Sequence, residues 1–340
     1  MTRQLDEDDL LLINALQIGP RLPWTAIGAV LDRHPTSLAL RWEKLAAAGA
    51  GWITSHPIGD PEQMSLSFHD VQCDPAQRQS VVQALAALPD VFSIDECHRH
   101  RDMMLTVITP TPAWLAESVY PLFDRIPGLT RYETSFCTRL HYGADSWQLG
   151  ALNAVQRKKL SQLAGNQPAY RGPLPPAYAE IIQVLSRNGR ATAADIAAET
   201  GLHPATARRQ LQKVLASGSL SLRCEVAHGL AGFPIICQWF ARLPAAEHSR
   251  TASALAESGT LRLCASTTGP TNFTFMMWLR SAADIMNTER SLGERFPALE
   301  IMESVVVATV AKRVGWILNR NGTAAGNLTV PGEAWQPGVS

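Results

Sequence analysis

The sequence has few charged residues and lacks the long apolar run that would place it in a membrane. Only 18% of its 340 residues are charged and 7% are aromatic. No apolar run approaches the roughly 20 residues that a helix needs to span a bilayer. The acidic beginning of the chain lacks the apolar centre of a signal peptide. These absences predict a soluble, cytoplasmic protein without membrane partners.

Signatures of metal binding and catalysis are also missing. The six cysteines are widely scattered and none forms a Cys-x-x-Cys pair, so neither a zinc site nor a disulfide framework is predicted. The sequence contains no pair of acids typical of catalysis, no nucleophile motif and no glycine-rich phosphate loop. We therefore expect no metal, no cofactor and no catalytic residue, and the sequence favours a protein that is not an enzyme.

The net charge is zero, with 30 basic and 30 acidic residues. This balance counts mildly against a nucleic-acid-binding protein, which often has a basic surface. The charge is unevenly distributed, however. Residues 171–227 contain seven cations and four anions, a net of +3, whereas residues 1–55 contain five cations and six anions, a net of −1.

One 45-residue segment occurs twice, at 5–49 and at 174–218. A constant offset of 169 aligns His34-Pro35 with His203-Pro204 and makes 11 of the 45 positions identical, where chance would give about three. In both copies two short apolar helix patterns precede a basic amphipathic helix that begins at the proline. Proline suits the first helical position because its missing N–H is not needed there. Each copy therefore predicts a helix-turn-helix (HTH).

A second pattern follows each HTH and has the order βαββαβ. The predicted elements of the first copy are strand 64–71, helix 75–88, strands 91–97 and 103–109, helix 112–125 and strand 130–140. Those of the second are strand 234–242, helix 245–258, strands 260–267 and 272–280, helix 282–295 and strand 300–310. This order predicts a ferredoxin-like sandwich. The repeat continues at an offset of 170, with Pro127/Pro297 and Glu133/Glu303 among its matches, which indicates a tandem duplication.

The predicted fold class is therefore α+β, with two three-helix, winged or HTH-type DNA-binding domains, each followed by a ferredoxin-like domain. The last segment shows no periodicity and is expected to be irregular, and residues 149–163 are a candidate connecting helix. The predicted domains are HTH 1–55, ferredoxin-like 60–142, linker 143–173, HTH 174–225, ferredoxin-like 230–318 and tail 319–340.

Three segments resemble the Lrp/AsnC family of transcription regulators. Residues 5–9 are similar to the family's Leu-Asp-x-x-Asp opening, and residues 38–49 to its recognition helix, with Arg41 at a family arginine. Residues 127–134 match the family segment that enters the last strand of the effector domain. The resemblance implies a sequence-specific regulator that binds double-stranded DNA and a small, amino-acid-like effector. The family pairs two chains through this domain, so the two halves are expected to form an intramolecular pseudo-dimer and further homo-oligomers.

The family's Gly-x-x-Asp effector loop is altered in both halves. It reads Arg99-His100-Arg101-Asp102 in the first half and Gly269-Pro270-Thr271-Asn272 in the second, so each half keeps a different end of the pattern. The resemblance implies effector binding by these two loops. The candidate effector-binding residues are Arg99, Arg101, Asp102, Gly269, Thr271 and Asn272.

The third helix of each HTH carries the candidate DNA contacts. Such a helix places a few side chains on base edges and others on phosphates, and an arginine such as Arg41 can bind guanine through two hydrogen bonds. The alternative is a solvated helix face in an HTH kept for packing. The candidates are His34, Thr36, Ser37, Arg41 and Lys44 in the first copy and His203, Thr206, Arg208, Arg209, Gln210 and Lys213 in the second.

The sequence leaves two other functions open. The cluster 98–101, His-Arg-His-Arg, is either an exposed hairpin turn or an anion-binding patch, because arginines match carboxylates. Sirohaem decarboxylases resemble Lrp/AsnC proteins and act on a carboxylate-rich tetrapyrrole, so an enzyme is one alternative. A protein-binding scaffold that has lost DNA binding is the other. The favoured prediction is a DNA-binding regulator.

Overall fold

The computed structural model describes residues 4–58 and 62–335. It begins with a three-helix module, α1 (Glu7–Ile18), α2 (Trp24–Leu31) and α3 (Pro35–Ala47), followed by strand β1 (Gly51–Pro57). The Asp6 carboxylate accepts a hydrogen bond from the Asp9 N–H and starts α1 with a capping box. The apolar faces of the three helices meet in one core. Its side chains are almost completely buried, and they include Leu12, Ile13, Leu16, Ile27, Leu38 and Trp42.

The first βαββαβ unit follows. Its strands are β2 (Ser65–Cys73), β3 (Val91–Glu96), β4 (Met103–Thr109) and β5 (Leu129–Tyr142). Its helices are α4 (Arg78–Ala86) and a second helix in three parts, α5 (Pro112–Trp114), a π-helical turn (Leu115–Val119) and α6 (Tyr120–Phe123). The strands pair in the order β5-β2-β4-β3, which is the ferredoxin-like order. The helices cover one face of this sheet.

The segment predicted as a linker contains helix α7 (Ala154–Ala164), close to the candidate helix at 149–163. Leu160 is fully buried, and the α1 side chains Gln17 and Asn14 accept hydrogen bonds from the backbone N–H groups of Leu149 and Leu152. This part of the segment is therefore packed on the first HTH.

The second half repeats this order. Its HTH comprises α8 (Ala179–Arg187), α9 (Ala193–Thr200) and α10 (Pro204–Ala216), and is followed by β6 (Leu220–Val226). Its βαββαβ unit comprises β7 (Ile235–Arg242), α11 (His248–Ala256), β8 (Leu261–Thr267), β9 (Phe273–Leu279), α12 (Ala283–Arg295) and β10 (Glu300–Val306). The strand order β10-β7-β9-β8 is again ferredoxin-like. The α+β prediction is confirmed.

The two HTH modules are joined by contacts that are nearly symmetric. Strands β1 and β6 form an antiparallel pair from Gly51↔Val226 to Pro57↔Leu220. Arg21 donates to the backbone carbonyls of Gly189 and Ala191. Its counterpart at the 169-residue offset, Arg190, donates to those of Pro20 and Leu22, at 2.7 and 2.9 Å. Each arginine thus holds the loop after the first helix of the other module.

The two ferredoxin-like sheets also join at both sides. The second half of β5 pairs with β8. On the other side, β11 (Thr309–Arg313) follows β10 after two residues and pairs with β3. In that connection the Val307 N–H donates to the Ile236 carbonyl of β7, and the Ala308 N–H donates to the Glu96 carbonyl of β3. The inner faces of the two sheets therefore enclose a common interior, while the helices lie outside.

The expectation of an irregular tail after residue 320 is wrong for residues 324–328, which form a strand. Strand β11 is followed by β12 (Trp316–Leu318) and β13 (Ala324–Leu328), which extend the sheet, and a 3-10 turn (Glu333–Trp335) follows. The single strand predicted at 300–310 is divided between β10 and β11. The sequence of the tail has no hydrophobic period because backbone hydrogen bonds and turns, which do not require a repeating pattern of apolar side chains, hold several of its residues.

No helix in the described ranges is long and apolar enough to cross a membrane. All six cysteines are free thiols, and five of them are buried.

Candidate functional site

The two recognition helices, α3 and α10, begin in the same way. The Nδ1 atoms of His34 and His203 accept hydrogen bonds from the backbone N–H groups of Thr36 and Ala205, both at 3.3 Å. Both histidines are exposed and cap their helices. Within residues 4–58 and 62–335, no group of three or more His, Cys, Asp or Glu side chains is arranged to hold a metal ion.

Arg41 of the first recognition helix is held by acids at the start of α1. Its guanidinium donates to Asp6 at 2.8 Å and to Asp9 at 2.5 Å, and lies 3.6 Å from Asp8. These contacts raise the pKa of Arg41 far above its ordinary value, chiefly through the hydrogen bonds to Asp9 and Asp6. Arg41 therefore contributes little net positive charge to this surface, although Thr36, Ser37 and Lys44 are exposed.

The second recognition helix presents a different surface. Arg208, Arg209 and Lys213 are exposed, and none of the ion pairs found in the described part of the chain involves them. Thr206 is half-exposed, while the side-chain oxygen of Gln210 is buried without a hydrogen-bond partner. This helix therefore offers three cations to an anionic partner.

The first candidate effector loop is the turn between β3 and β4. Asp102 accepts from Arg78 at 2.7 Å and from the Cys73 N–H at 2.9 Å. Arg101 donates to Glu303 of β10 at 2.6 Å and lies 3.3 Å from Asp70. Arg99 is exposed, 3.7 Å from Glu303. The turn therefore contacts the second ferredoxin-like unit through Arg99 and Arg101.

The second candidate effector loop is the turn between β8 and β9. Asn272 exchanges hydrogen bonds with the Leu243 backbone at 3.0 and 2.9 Å. The Thr271 carbonyl accepts from Thr267, and Gly269 has a φ of +108°. Asn272 and Thr271 thus find their partners within the second unit, whereas Thr268 of the same turn exchanges hydrogen bonds with Phe136 of β5. The six predicted effector residues therefore belong to two separate sets of contacts and do not line one site.

A cavity of about 270 Å³ lies between the inner faces of the two sheets; we call it the central cavity. Along β2 the alternate residues Leu66, Phe68 and Asp70 face it, as the two-residue period of a strand requires. Its apolar walls and its polar residues come from both halves of the chain. Among its lining residues are Leu66, Phe68, Ile108, Phe240, Met276 and Trp278.

Three arginines line the central cavity; we call Arg223, Arg262 and Arg313 the arginine cluster. All three side chains are largely buried. Arg223 and Arg262 donate to the buried carboxylate of Glu225, Arg262 at 3.1 Å. The guanidinium carbons of Arg262 and Arg313 lie 4.1 and 4.9 Å from the centre of the Trp278 ring.

The charge of this cluster is not balanced by Glu225 alone. Burial by itself would raise the pKa of Glu225, but the three arginines lower it to about 2, so this group is anionic. Arg313 Nη1 and Arg223 Nε are buried without a hydrogen-bond partner. A buried cation without full compensation is costly, and a carboxylate is the group that arginine binds best. This end of the cavity is therefore suited to an anionic ligand.

Three carboxyl groups line the same cavity, those of Asp70, Asp95 and Asp145, and the register of the first sheet places two of them. Asp70 on β2 and Asp95 on β3 are both opposite Met104 of β4, which places them two strands apart, roughly 9–10 Å. Burial raises the pKa of each to about 6, against the opposing effect of Arg101 on Asp70 and of Arg313 on Asp95. Groups with such pKa values can exchange protons near neutral pH.

His56 of β1 also lines the cavity but is neutral. Its burial, together with the charge of Arg223, lowers its pKa to about 3. Its ring packs edge-on against Phe92 at 5.2 Å, and its Nδ1 atom is buried without a partner.

Sequence reasoning missed this site. The arginine cluster, Glu225, Asp95 and His56 lie on five strands that are far apart in the chain and carry no shared spacing. Among the predicted effector-binding residues, Arg101 is connected to this site, because its ion-pair partner Asp70 lines the cavity. Alternation of charged and apolar residues in the buried strand β6 was a local signal, but alternation alone is also typical of an exposed strand.

Comparison with known proteins gives a match over part of the chain and likenesses of fold. A family model described as winged helix-turn-helix DNA-binding matches residues 180–218. No curated protein matches this chain. Among solved structures, the sirohaem decarboxylase NirDL is 13% identical with a TM-score of 0.49, covering 95% of this chain and 96% of that one.

Lrp/AsnC regulators are similar over a shorter span. LrpC of B. subtilis is 17% identical with a TM-score of 0.34, and AsnC of E. coli is 18% identical with a TM-score of 0.36. Each of these two alignments covers 40% of this chain and more than nine-tenths of the regulator's chain. The prediction that the chain is not an enzyme is contradicted, because the likeness that extends over both whole chains is to an enzyme. The residues that the winged HTH model matches contain most of α8 and all of α9 and α10, the three helices of the second HTH.

Proposed function

We propose that this protein is an enzyme that binds a carboxylate-rich tetrapyrrole in the central cavity and removes carboxylate groups from it, as a sirohaem decarboxylase does. The observation that carries the proposal is the arginine cluster inside an otherwise largely apolar cavity. Apolar walls suit a macrocycle, and buried arginines suit its acidic side chains. We also propose that the two halves arose by tandem duplication, with the cavity formed where the two copies meet.

The cavity residues have distinct roles in this proposal. Arg313 binds one carboxylate of the substrate, since its Nη1 has no partner in the protein. Glu225 holds Arg223 and Arg262 in place. Decarboxylation breaks the bond between the carboxylate carbon and its neighbour, CO2 leaves, and the electron pair left on that neighbour takes up a proton. Asp95, buried beside the arginine cluster, supplies that proton in its neutral form.

The experiment that tests the proposed reaction is incubation of the purified chain with sirohaem without oxygen. Mass spectrometry of the extracted tetrapyrrole should show loss of CO2, and the absorption spectrum should shift when the tetrapyrrole binds. If the tetrapyrrole bound but kept all its carboxylates, the protein would be a tetrapyrrole-binding protein without decarboxylase activity. No binding at all would end the proposal.

The activity is expected to fall as the pH rises through about 6. Asp95 must be protonated to donate, and burial raises its pKa to about 6; above that value the neutral fraction falls tenfold per pH unit. Asp95→Asn should lower kcat by about 10²–10⁴-fold, the usual contribution of a general acid, and remove this limb of the pH profile. Rates measured from pH 5 to pH 8 check both points.

A control separates chemistry from folding. At pH 5 the wild-type Asp95 is mostly neutral, so the Asp95→Asn protein has nearly the same charge and should be equally stable. Asp70→Asn provides the comparison, because Asp70 is the other cavity acid with a pKa of about 6. If Asp70→Asn alone removed the limb, the proton donor would be Asp70.

A second activity, DNA binding, is favoured by the exposed cations of α10 and by the winged HTH match over 180–218. We propose that the second module binds DNA and that the first contributes less, because Arg41 is held by three aspartates. Replacing Arg208 and Arg209 with Ala should weaken binding and lower the slope of log affinity against log salt by about 1.8, at about 0.9 per phosphate contact. Fluorescence anisotropy at several salt concentrations, with DNA from upstream of the gene, measures this.

The matched control removes two cations from α7, outside both recognition helices, by replacing Lys158 and Lys159 with Ala. Equal losses in the two double variants would indicate general charge attraction instead of contact by α10. Wild-type protein without salt-sensitive binding would exclude this activity and leave the enzymatic proposal untouched.

A further inference from the structure

The end of the described chain forms part of the central cavity. The indole of Trp335 lines it and stacks on Phe92, with ring centres 6.0 Å apart and planes inclined by 22°. The Trp335 Nε1–H donates to Asp90 at 2.6 Å. Phe92 in turn contacts His56. Trp335 thus covers one wall of the cavity, although it comes from a segment outside both ferredoxin-like units.

The segment that delivers Trp335 is residues 329–335, which we call the C-terminal strap. Near its start, the Thr329 N–H donates to the Gly315 carbonyl and the Thr329 hydroxyl to the Ala86 carbonyl, at 3.0 and 2.9 Å. In its middle, the Gly332 N–H donates to the Pro89 carbonyl at 3.2 Å. These individual hydrogen bonds attach the strap to the turn between β11 and β12, through Gly315, and to the first ferredoxin-like unit, through Ala86 and Pro89.

The strap also contacts the second HTH. Gln183 of α8 donates to the Glu333 carboxylate at 2.8 Å. Because Glu333 is two residues from Trp335, a movement of the indole out of the cavity would also disturb this contact with α8. The first ferredoxin-like unit, the cavity and the second HTH all meet at this short segment.

The size of the cavity conflicts with the size of the proposed substrate. Sites for drug-sized ligands usually have volumes of about 300–1,000 Å³, whereas the central cavity measures about 270 Å³. A tetrapyrrole with its acidic side chains is larger than this space. Binding of this substrate therefore requires the site to widen, and the strap is one part of its wall that belongs to no sheet.

We infer that the C-terminal strap controls access to the central cavity, with Trp335 as the residue that determines the size of ligand the cavity admits. With Trp335 in place the site accepts compact apolar anions, and with the indole displaced it accepts a macrocycle. Binding of a large ligand would release Glu333 from Gln183 as well. The size argument and the identity of the large ligand rest on the proposed function, whereas the smaller probe below tests the role of the strap separately.

The test uses the full-length chain and two probes, sirohaem and the smaller fluorescent anion 1-anilinonaphthalene-8-sulfonate. Stopped-flow mixing gives the association rate of each probe with wild type, Trp335→Ala, Trp335→Phe and Gln183→Ala. Trp335→Ala should associate at least about tenfold faster with sirohaem. Trp335→Phe, which keeps a ring on Phe92 but loses the bond to Asp90, should be intermediate. Gln183→Ala, which removes only the outer contact, should show a smaller increase.

Met276→Trp, which adds bulk to the cavity wall from β9 of the second unit, shows whether the fluorescent probe reports on this site. It should reduce that probe's binding in both the wild-type and the Trp335→Ala background. If the small probe associated faster with Trp335→Ala and no variant bound sirohaem, control of access by the strap would be supported and the proposal of a tetrapyrrole substrate would be overturned. Unchanged association of both probes in Trp335→Ala, in a chain whose circular dichroism matches wild type, would overturn the strap.

Discussion

Replacing Arg313 with methionine is expected to weaken sirohaem binding by at least about 30-fold while leaving the fold intact. Truncating one partner of a buried, hydrogen-bonded charge pair costs about 2–5 kcal/mol of binding, and 2 kcal/mol corresponds to about 30-fold. Arg313 is buried in the cavity wall and its Nη1 has no partner in the protein. An absorption titration of the purified variant with sirohaem measures the change.

The fold should tolerate this substitution because it improves the charge balance of the cavity. Removing Arg313 leaves Arg223 and Arg262 with Glu225, to which both donate, and with Asp95. Methionine keeps an apolar stem of similar length against Trp278. The melting temperature is therefore expected to stay the same or rise.

Two controls sharpen the Arg313 result. Arg280→Met removes an arginine that packs on Phe233 and does not line the cavity, so binding should be unchanged. Arg313→Lys keeps the charge but not the planar fork, and should restore only part of the affinity. Wild-type affinity in Arg313→Met would show that the ligand carboxylates bind elsewhere.

The sequence predicted the helices and strands of the four modules well because each has its own hydrophobic period. Helix-starting prolines at 35 and 204 set the recognition helices, and β4 begins and ends as predicted. Strands β1 and β6 were not predicted. They pair with each other although they are far apart in the chain. Strand β1 is buried along nearly its whole length and so lacks the alternation of a half-exposed strand, whereas β6 alternates but gives no sign of its partner.

The candidate site was less predictable for a related reason. Arg41 and the acids at positions 6, 8 and 9 each fitted a familiar role, one as a DNA contact and the others as residues that favour the start of a helix. Their ion pairs, which change the charge of the surface, depend on how α1 lies against α3. The arginine cluster is a stronger case, since its members come from β6, β8 and β11 and meet only when the two sheets close.

Replacing Glu225 with glutamine is expected to destabilise the protein by about 3–5 kcal/mol, the cost of removing one partner from a buried ion pair. The substitution leaves Arg223, Arg262 and Arg313 buried with Asp95 as the remaining nearby acid, whose own pKa is about 6. Chemical denaturation at pH 7 measures the loss. The Glu225→Gln/Arg262→Gln double variant should lose less than the sum of the two single variants, because the two side chains share one interaction.

The pH dependence of this loss follows from the low pKa of Glu225. Burial raises that pKa, but the three arginines outweigh burial and lower it to about 2, below the ordinary value of 4.5. The ion pairs therefore stabilise the fold fully above about pH 5, and their contribution falls as the pH drops towards 2. The difference between wild type and Glu225→Gln should narrow over that interval. A stability difference that stayed constant down to pH 2, or a variant as stable as wild type at pH 7, would mean that Glu225 does not hold the arginine cluster together. Other contacts would then have to hold the three arginines in the cavity wall.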